Sequence, residues 1–394
     1  MQYDKIDAVL KITERCNINC TYCYMFNKDS TLYERKPKQM SLETGQAVAD
    51  FLSAGASAVG ASTVHVIFHG GEPTMMRASE FEKHCQTLID TVGRNTKLRF
   101  SLQTNAMLID DAWINLIEKY RISVGVSLDG DQETNDTHRI DHVGRGTYLR
   151  SMQGVELLMA ANRAGRISPP GVLCVIDPSK SGAEIFRHFA QSIGFQWLDF
   201  LLPIDTRDSI SLDAGKKVGD YLSGVFDAWN QLGDKRVTIR FFDQFYTFMT
   251  GTDRLSGRAI KESTGTLIVT VASDGTYGPD DTLRIVTDDY FDFDCRTTTL
   301  SDYLQHQLIR AVLEANKTLP TDCNQCAWAA YCVGGATNGR LVNRYSALLE
   351  YKEKSVLCDG LMHIYSVLAR GLLDLGYPKQ VMFERLDRAV GRLQ

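Results

Sequence analysis

The first part of the chain alternates short apolar runs with amphipathic stretches. The runs have the length of strands, and the stretches between them repeat apolar residues at helical spacing. This alternation predicts β-α units and a parallel sheet, because strands covered on both faces read as nearly continuous hydrophobic segments. The predicted strands are Ala8–Thr13, Val64–Phe68, Leu98–Gln103, Ser123–Leu128, Gly171–Ile176 and Trp197–Pro203, and the predicted helices are Leu42–Ala54, Ser79–Val92, Asp110–Lys119, Tyr148–Ala164 and Ala183–Ile193.

The pattern changes after about residue 208, where the regular alternation stops. An Asp-Gly pair between two apolar runs predicts a hairpin with a type I′ turn, whose two central residues both need positive φ. A polar stretch with several glycines predicts a linker before that hairpin. The elements predicted here are a helix at Leu212–Leu232, a linker at Thr250–Gly265, a hairpin from Thr266–Ala272 through Asp274-Gly275 to Tyr277, and a last helix at Leu361–Leu375.

Length and charge narrow the class of protein. A chain of 394 residues suggests two to three domains, or one barrel with an appendage. The formal net charge of -5, from 43 basic and 48 acidic residues, argues against nucleic acid as the main partner. No apolar stretch is long enough to span a membrane, and the first residues lack the pattern of a secretory signal. We therefore expect a cytoplasmic protein without a nucleic-acid or membrane partner.

Ten cysteines are unusual for a protein expected in a reducing compartment, where metal binding is more common than disulfides. Cys16, Cys20 and Cys23 form a C-x3-C-x2-C loop directly after the first predicted strand. Three thiolates on one loop can hold three irons of a [4Fe-4S] cube and leave the fourth iron open for a substrate or cofactor. Zinc is the alternative, but it requires a fourth ligand that this spacing does not provide.

This cysteine loop after the first strand of a β-α series resembles that of the radical S-adenosylmethionine (SAM) enzymes. His69-Gly70-Gly71-Glu72-Pro73, after the second strand, resembles their G-G-E-P element, in which an acidic group holds the ammonium of the methionine moiety. The resemblance implies a partial (β/α)6 TIM-like barrel and a cluster that cleaves SAM to methionine and a 5′-deoxyadenosyl radical. It implies SAM contacts for Tyr22, Gly70, Gly71, Glu72, Gln103, Asn105, Ser127 and Arg139.

A second cysteine group lies near the other end of the chain. Cys323, Cys326, Cys332 and Cys358 provide four thiolates, enough for a closed zinc or [4Fe-4S] site. Their spacing resembles the C-terminal SPASM extension of radical SAM peptide maturases, which implies iron–sulfur. A full extension has seven cysteines and two auxiliary clusters, but the corresponding positions here lack cysteine: the segment Lys261–Ala272, Asp280 and Ala336. We expect one auxiliary cluster and two [4Fe-4S] clusters in all.

One aspartate pair and three isolated cysteines are further candidates. Asp281 follows the vacated position 280, and in sulfatase-maturing relatives an aspartate there serves as general base. The resemblance therefore implies a catalytic base at Asp281, although Asp280 beside it is an alternative. Cys85 and Cys174 are expected to be small buried hydrophobes, as is Cys295, which is also an alternative cluster ligand.

The resemblance also implies a domain order and a reaction. We expect an α/β fold with a radical SAM barrel at 1–235, a bridging segment at 236–265, a SPASM-like extension with its auxiliary cluster at 266–360, and a C-terminal helix and tail at 361–394. Extensions that lack the inner cluster are similar to those of maturases that join an aromatic ring carbon to a β-carbon, giving a three-residue cyclophane. The expected partners are a precursor peptide with a leader and a flavodoxin- or ferredoxin-type electron donor. The alternatives are oxidation of Ser or Cys to formylglycine, thioether formation, and a non-enzymatic, zinc-stabilised binding protein.

Overall fold

The computed structural model describes residues 2–28, 31–211, 213–251, 265–335 and 341–390. By its internal contacts the chain divides into two compact units. The first unit comprises Met1–Val172 and Glu262–Arg310, and the second comprises Leu173–Lys261 and Ala311–Gln394. These boundaries differ from those of the predicted domains, which stay a prediction. Most of the predicted linker Thr250–Gly265 lies outside the described residues, and Thr250 itself ends a helix.

All six predicted strands form. In the first unit the strand order is β10-β9-β8-β1-β2-β3-β4, and in the second it is β5-β6-β7. The pairs β1–β2, β2–β3 and β3–β4 are parallel, as predicted, and β6 also pairs in parallel with β7, a short strand that was not predicted. The strands are β1 Lys5–Thr13, β2 Thr63–Gly70, β3 Lys97–Thr104, β4 Ser123–Ser127, β5 Gly171–Val175, β6 Trp197–Leu201, β7 Thr238–Ile239, β8 Thr266–Val271, β9 Thr276–Gly278 and β10 Phe293–Asp294.

The strands of the first unit have two different faces. Along β2 every second side chain is fully buried, and Phe68 packs on Phe81 of the following helix with ring centroids 4.5 Å apart. The side chains between them, such as His65 and His69, are partly exposed. Because successive side chains of a strand point to opposite faces, one face of the sheet forms a core with the helices and the other carries polar groups.

Several helices begin where the sequence offers a capping side chain. Ser41 Oγ accepts a hydrogen bond from Thr44 N at 3.0 Å, and Asp131, which the sequence pattern did not single out, caps α4. The predicted helix Ala183–Ile193 is α6 continued by a π-helix at His188–Ile193. The helices are α1 Leu42–Val59, α2 Ala78–Thr91, α3 Asp111–Tyr120, α4 Gln132–His138, α5 Tyr148–Arg163, α6 Gly182–Arg187, α7 Ala214–Leu232, α8 Arg240–Thr250, α9 Leu300–Gln305, α10 Gln307–Ala315, α11 Ala329–Cys332, α12 Cys358–Asp374 and α13 Lys379–Val390.

The predicted hairpin exists, but its turn differs from the prediction. Strands β8 and β9 pair antiparallel, with Val271 opposite Tyr277. Gly275 N donates to Ala272 O at 3.0 Å, and Ala272 N donates to Thr276 O at 2.7 Å, so three residues form the loop. Within it only Gly275 has a positive φ, of 91°. The type I′ prediction was wrong, because the loop has the three-residue form that ends in a left-handed glycine.

In the second unit two helices approach closely at glycines. A Cβ on Gly219 of α7 would lie 2.8 Å from Gly360 Cα of α12, so the small residues let the two backbones meet. Aromatic rings fill the space beside them: Phe245 of α8 packs on Tyr331 and stacks on Tyr365, with centroids 5.2 and 5.9 Å away. No helix in the described ranges is long and apolar enough to cross a membrane.

Candidate active site

The three cysteines predicted to bind a cluster share the short loop after β1. The loop is tied to the segment following α4 by a backbone hydrogen bond from Asn19 N to Ile140 O, of 2.7 Å. Within the loop Cys23 N donates to Cys20 O at 3.0 Å. These bonds fix the loop from both sides, so its thiols are presented together at the carboxyl end of the first strand, where parallel α/β folds place their reacting groups.

Cys16, Cys20 and Cys23 are free thiols that lie close enough to interact electrostatically. Burial raises the pKa of Cys20 to about 11 and also raises the pKa of the other two. Across the described ranges, no three His, Cys, Asp or Glu side chains surround one point as a single metal ion requires. In a [4Fe-4S] cube each thiolate binds a different iron, so three neighbouring but separate thiols fit a cube with three protein ligands.

The Gly70-Gly71-Glu72 segment lies at the end of β2. It runs beside the backbone between Thr13 and Arg15, which leads from β1 into the cysteine loop. Gly71 N donates to Thr13 O at 3.0 Å, and Glu72 N donates to Arg15 O at 2.9 Å. A Cβ on Gly71 would lie 2.1 Å from Arg15 O. One on Gly70 would lie 2.1 Å from Thr13 O. In this structure the glycines let two backbones approach each other, whereas their predicted approach to SAM stays a prediction.

The Glu72 carboxylate joins the ends of β2 and β3. It is 1% exposed, and its Oε1 accepts hydrogen bonds from Thr74 N, Thr74 Oγ1 and Thr104 Oγ1 at 2.6–3.0 Å. Its Oε2 accepts one from Asn105 N at 2.7 Å. Burial raises the pKa of Glu72 despite these donors. Protein donors thus occupy Oε1. Oε2 accepts only one hydrogen bond and can still accept another from an ammonium.

Gln103 and Asn105 lie on either side of Thr104 at the end of β3, and their role in lining a SAM pocket stays a prediction. Asn105 Nδ2 donates to Asn17 Oδ1 in the cysteine loop at 2.8 Å, so β3 is also connected to that loop. Gln103 is partly exposed, and its side chain hydrogen-bonds to that of His69 on β2. The two residues therefore lie on the side of the sheet where the cysteine loop begins.

Tyr22 and Arg139 meet beside the cysteine loop. Arg139 Nη1 donates to the Tyr22 hydroxyl at 2.9 Å, and that hydroxyl donates to Asp129 Oδ2 at 2.5 Å. Arg139 is only 6% exposed, yet its Nε has no hydrogen-bond partner within the part of the chain that the structure describes. A buried donor without a partner points to a missing acceptor, and a carboxylate fits a guanidinium well. Ser127, partly exposed, ends the neighbouring strand β4.

Asp281 lies in a cluster of polar side chains that sequence reasoning missed. Its Oδ2 accepts hydrogen bonds from Lys11 Nζ and from the Tyr24 hydroxyl. Lys11 Nζ also lies 3.0 Å from the Tyr24 hydroxyl and 3.0 Å from His69 Nδ1. Burial by itself would raise the pKa of Asp281, but the Lys11 ammonium together with His69 and the Tyr24 hydrogen bond outweighs it and holds that pKa well below its usual range. The carboxylate is therefore ionised and held in one orientation.

The pairing of β8 with β1 brings this cluster together. The two strands are parallel, with Leu10 opposite Val271, so the segment after the hairpin returns to the end of β1. Asp281 begins a 3-10 helix there, at Asp281–Ile285. The available signal was Lys11 itself, a lysine within an apolar strand that is fully buried in the structure. A buried lysine requires charged or hydrogen-bonding partners and so indicates a site.

The second cysteine group assembles within the second unit. Cys323 and Cys326 lie in one turn, with Cys326 N donating to Cys323 O at 3.1 Å. Cys332 ends α11 and Cys358 begins α12, and electrostatic interactions link Cys323 with both Cys326 and Cys358. Burial raises the pKa of Cys323 to about 11 and that of Cys332 to about 12. Four neighbouring free thiols fit the predicted cluster, whose presence stays a prediction.

Arg344 holds the loops around this second group. It is 2% exposed, and its guanidinium donates to the carbonyl oxygens of Ala315, Tyr351, Glu353 and Thr318 at 2.6–3.3 Å. These carbonyls come from segments far apart in sequence. A buried guanidinium satisfied by backbone acceptors acts here as a structural crosslink.

A full SPASM extension has further cysteines at positions that include 280 and 336 of this chain, and the structure describes the first of these two. Asp280 Oδ1 accepts hydrogen bonds from Thr282 N at 2.9 Å and Thr282 Oγ1 at 2.7 Å, so it caps the 3-10 helix. Ala336 lies outside the described residues. Cys295 is 9% exposed and belongs to the first unit, near Gly275 of the hairpin.

Comparison with known proteins places this geometry in a class. Residues 10–168 match the model of the Radical SAM superfamily. The cysteine-type anaerobic sulfatase-maturating enzyme of Clostridium perfringens is 26% identical over 348 residues, which cover 84% of this chain and 89% of that enzyme. The Radical SAM superfamily match spans the cysteine loop, the Gly-Gly-Glu segment and the predicted SAM contacts. Residues 10–168 thus match the radical SAM superfamily, and the similarity that extends over most of the chain is to an enzyme, as expected, and not to a zinc-stabilised binding protein.

Solved structures show the same fold. The structure of native anSMEcpe with bound AdoMet and Kp18Cys peptide is similar over 94% of this chain and 99% of its own, with a TM-score of 0.76 and 22% identity. Streptococcus suis SuiB bound to S-adenosylmethionine is similar over 90% of this chain and 75% of its own, with a TM-score of 0.54 and 15% identity. The predicted fold class, an α/β radical SAM core with a C-terminal extension, is thereby confirmed.

Proposed function

We propose that this enzyme modifies a peptide and installs a carbon–carbon crosslink between an aromatic ring carbon and a nearby β-carbon. The observation that carries the proposal is the Asp281 carboxylate. Its Oδ2 is held by Lys11 and Tyr24, while its Oδ1 accepts no hydrogen bond from any residue that the structure describes. An ionised carboxylate with one free oxygen, partly exposed beside the predicted SAM pocket, is suited to take a proton from a substrate.

The residues present fit the cofactors that this reaction needs. Cys16, Cys20 and Cys23 would hold the [4Fe-4S] cluster that binds SAM, and Arg139 Nε would meet the SAM carboxylate. Glu72 Oε2 would accept from the SAM ammonium. When bound, the cluster and SAM supply the radical that removes a hydrogen atom from the peptide. The four cysteines of the second unit would hold an auxiliary [4Fe-4S] cluster.

The balance of the reaction assigns a role to Asp281. The peptide loses two hydrogens: one leaves the β-carbon as a hydrogen atom and ends in 5′-deoxyadenosine. After the new bond forms, the ring would lose its second hydrogen as a proton to Asp281 Oδ1 and as an electron that an iron–sulfur cluster would accept. A flavodoxin- or ferredoxin-type partner would supply the electron needed for SAM cleavage. Asp281 thereby allows the ring to recover its aromaticity.

Oxidation of Ser or Cys to formylglycine is the second candidate. It is favoured by the likeness to sulfatase-maturating enzymes, and it also uses a base. The crosslink is favoured by position 280, which holds an aspartate engaged in capping instead of a thiolate. The inner auxiliary cluster of a full SPASM extension would lose a ligand there, as at Ala336.

The test compares two kinds of peptide under anaerobic conditions with SAM and dithionite. One is each short peptide encoded next to the gene of this chain, and the other is the Kp18Cys peptide. We expect a neighbouring peptide to yield a product lighter by two hydrogens, with an aryl–Cβ bond in its NMR spectrum. Because oxidation of serine to formylglycine removes two hydrogens as well, each product is also treated with a hydrazide, which captures an aldehyde only.

The outcomes separate the candidates. An unreactive, crosslinked product supports the crosslink, and a hydrazide-reactive product from either peptide would replace it with formylglycine formation. A thioether would contradict both. Asp281→Asn serves as the matched control, because it should still form 5′-deoxyadenosine while the peptide product is lost.

A further inference from the structure

We infer that Lys11 is a positioning residue for Asp281, which orients the carboxylate so that Oδ1 faces the substrate. The inference rests on the proposed function, in which Asp281 takes a proton from the peptide. Lys11 lies on the polar face of β1 and is completely buried. Its ammonium meets three acceptors: Asp281 Oδ2, the Tyr24 hydroxyl and His69 Nδ1.

Lys11 Nζ has as many acceptors around it as a lysine ammonium has N–H donors. An ammonium has three N–H donors and no acceptor, so three acceptors satisfy it completely. Burying an ammonium is costly unless it is paired and hydrogen-bonded, and Asp281 provides the opposite charge. A lysine that only filled space in the core would lack such partners. The arrangement therefore fixes Lys11 Nζ at one point and, through it, Asp281 Oδ2.

His69 continues the network away from Asp281. Its Nδ1 accepts from Gly70 N at 2.8 Å as well as from Lys11 Nζ, so the ring proton must be on Nε2. Burial and the neighbouring ammonium lower the pKa of His69 to about 3, which keeps the ring neutral. The His69 side chain in turn hydrogen-bonds to Gln103. A continuous series of contacts thus links the predicted SAM pocket at Gln103 with the proton acceptor.

The position of Asp281 follows from the same contacts. Lys11 and the Tyr24 hydroxyl both donate to Oδ2, from β1 and from the cysteine loop. The other charged groups near Lys11 are Arg284, on the 3-10 helix of Asp281, and Glu14, after β1. Arg284 and Glu14 pair with each other at 3.9 Å and are both buried. Lys11 is therefore the cation that contacts Asp281 directly.

The test replaces Lys11 by methionine, which keeps the length of the stem and removes the ammonium. Without that cation the mostly buried Asp281 carboxylate should become harder to ionise, because burial is then opposed mainly by the Tyr24 hydrogen bond. Burial by itself raises a carboxyl pKa by up to about 3–5 units, so without the opposing ammonium the pKa of Asp281 should rise above its ordinary value and towards neutrality. Asp281 would then be protonated at a pH where the wild type is ionised.

Two measurements detect the change in protonation of Asp281. Infrared difference spectra, with the Asp281→Asn spectrum subtracted, report protonation of Asp281 in the enzyme alone. In turnover, the ratio of peptide product to 5′-deoxyadenosine should fall about tenfold or more at neutral pH and recover as the pH rises. The wild-type ratio should stay flat over the same range, since the pKa of its Asp281 lies far lower. The recovery with pH separates loss of ionisation from general damage.

The matched control is Lys36→Met. Lys36 is a nearly buried lysine in the same unit, and its Nζ pairs with Asp274 Oδ2 at 2.8 Å and with Thr276 Oγ1 at 2.7 Å. Among the described residues its ammonium bonds to none of Asp281, Tyr24 and His69, although it lies close enough to Glu14 to interact electrostatically. The product ratio and the infrared titration of Asp281 should therefore match the wild type. Lys11→Gln, which keeps donors but no charge, carries the test if the methionine variant fails to assemble.

The results distinguish this inference from the proposed function. If the wild type forms no peptide product, the proposed function fails, while the infrared titration still decides whether Lys11 controls Asp281. If the wild type forms product and both Lys11 variants keep its ratio and its titration, the inference about Lys11 is overturned. A raised titration together with a pH-dependent ratio supports it.

Discussion

Gly71 offers a direct test of how the sequence shapes the cluster-binding loop. In Gly71→Ala the new Cβ would lie 2.1 Å from Arg15 O and 2.8 Å from Cys16 N. Gly71 does not have a positive φ, so the substitution acts through this contact and not through backbone strain. The loop that carries the first predicted cluster ligand would have to move.

The loss of stability expected in Gly71→Ala depends on the new contact of the Cβ with Arg15 O and on the hydrogen bonds that hold the two backbones together. Carbon–oxygen contacts are ordinarily about 3.3 Å long, so the two backbones would have to separate by about 1 Å. Hydrogen bonds from Gly71 N to Thr13 O and from Glu72 N to Arg15 O tie them together. Overpacking costs about 1–3 kcal/mol, and a weakened hydrogen bond adds about 1 kcal/mol. We expect a loss of about 2–4 kcal/mol in the free energy of unfolding of the first unit.

Iron content after anaerobic reconstitution measures the consequence. The variant should keep only about half of the wild-type iron, because the second cysteine group lies in the other unit and its cluster should still assemble. SAM cleavage should be lost with the first cluster. Gly224→Ala, in α7, is the control, since its Cβ would lie 3.4 Å from Ala183 N in ordinary contact. Full iron and unchanged unfolding in Gly71→Ala would refute the reasoning.

Three further variants test individual residues. Asp281→Asn should form 5′-deoxyadenosine at the wild-type rate while peptide product falls about 100-fold or more, because proton transfer is lost; equal product in the two enzymes would contradict the base role. Arg139→Lys should raise the KM for SAM about tenfold, since a lysine cannot replace the buried Nε and Nη1 donors together, and the exposed Arg145→Lys should not. Cys358→Ser should lose about half of the iron and keep SAM cleavage, because only the second cysteine group is changed. Loss of all iron in this variant would contradict the assignment of two separate clusters.

Much of the active site followed from sequence because its residues lie at the ends of consecutive strands. Local hydrophobic patterns gave the strands, and the cysteine loop and Gly-Gly-Glu segment follow the first two of them directly. The role of the glycines did not follow. A glycine pair is compatible with a ligand or with another backbone, and only the hydrogen bonds to Thr13 and Arg15 show the second use.

The hairpin shows a similar limit on a smaller scale. Asp274-Gly275 predicted a turn, and a turn is present between β8 and β9. The number of residues in the loop depends on which residues of the two strands pair, and that register is fixed by the neighbouring strands. The Asp-Gly pair alone therefore could not decide between a two-residue and a three-residue loop.

By itself the sequence determined the series of β-α units and the two cysteine groups, because these depend on short-range patterns and spacings. The tertiary structure decided that β8 lies against β1, which brings Asp281 to Lys11, 270 residues away in the chain. Pairing between distant strands depends on how whole faces of the protein pack, and no local pattern carries that information. The polar cluster of Lys11, Tyr24, His69 and Asp281 exists only because of that pairing.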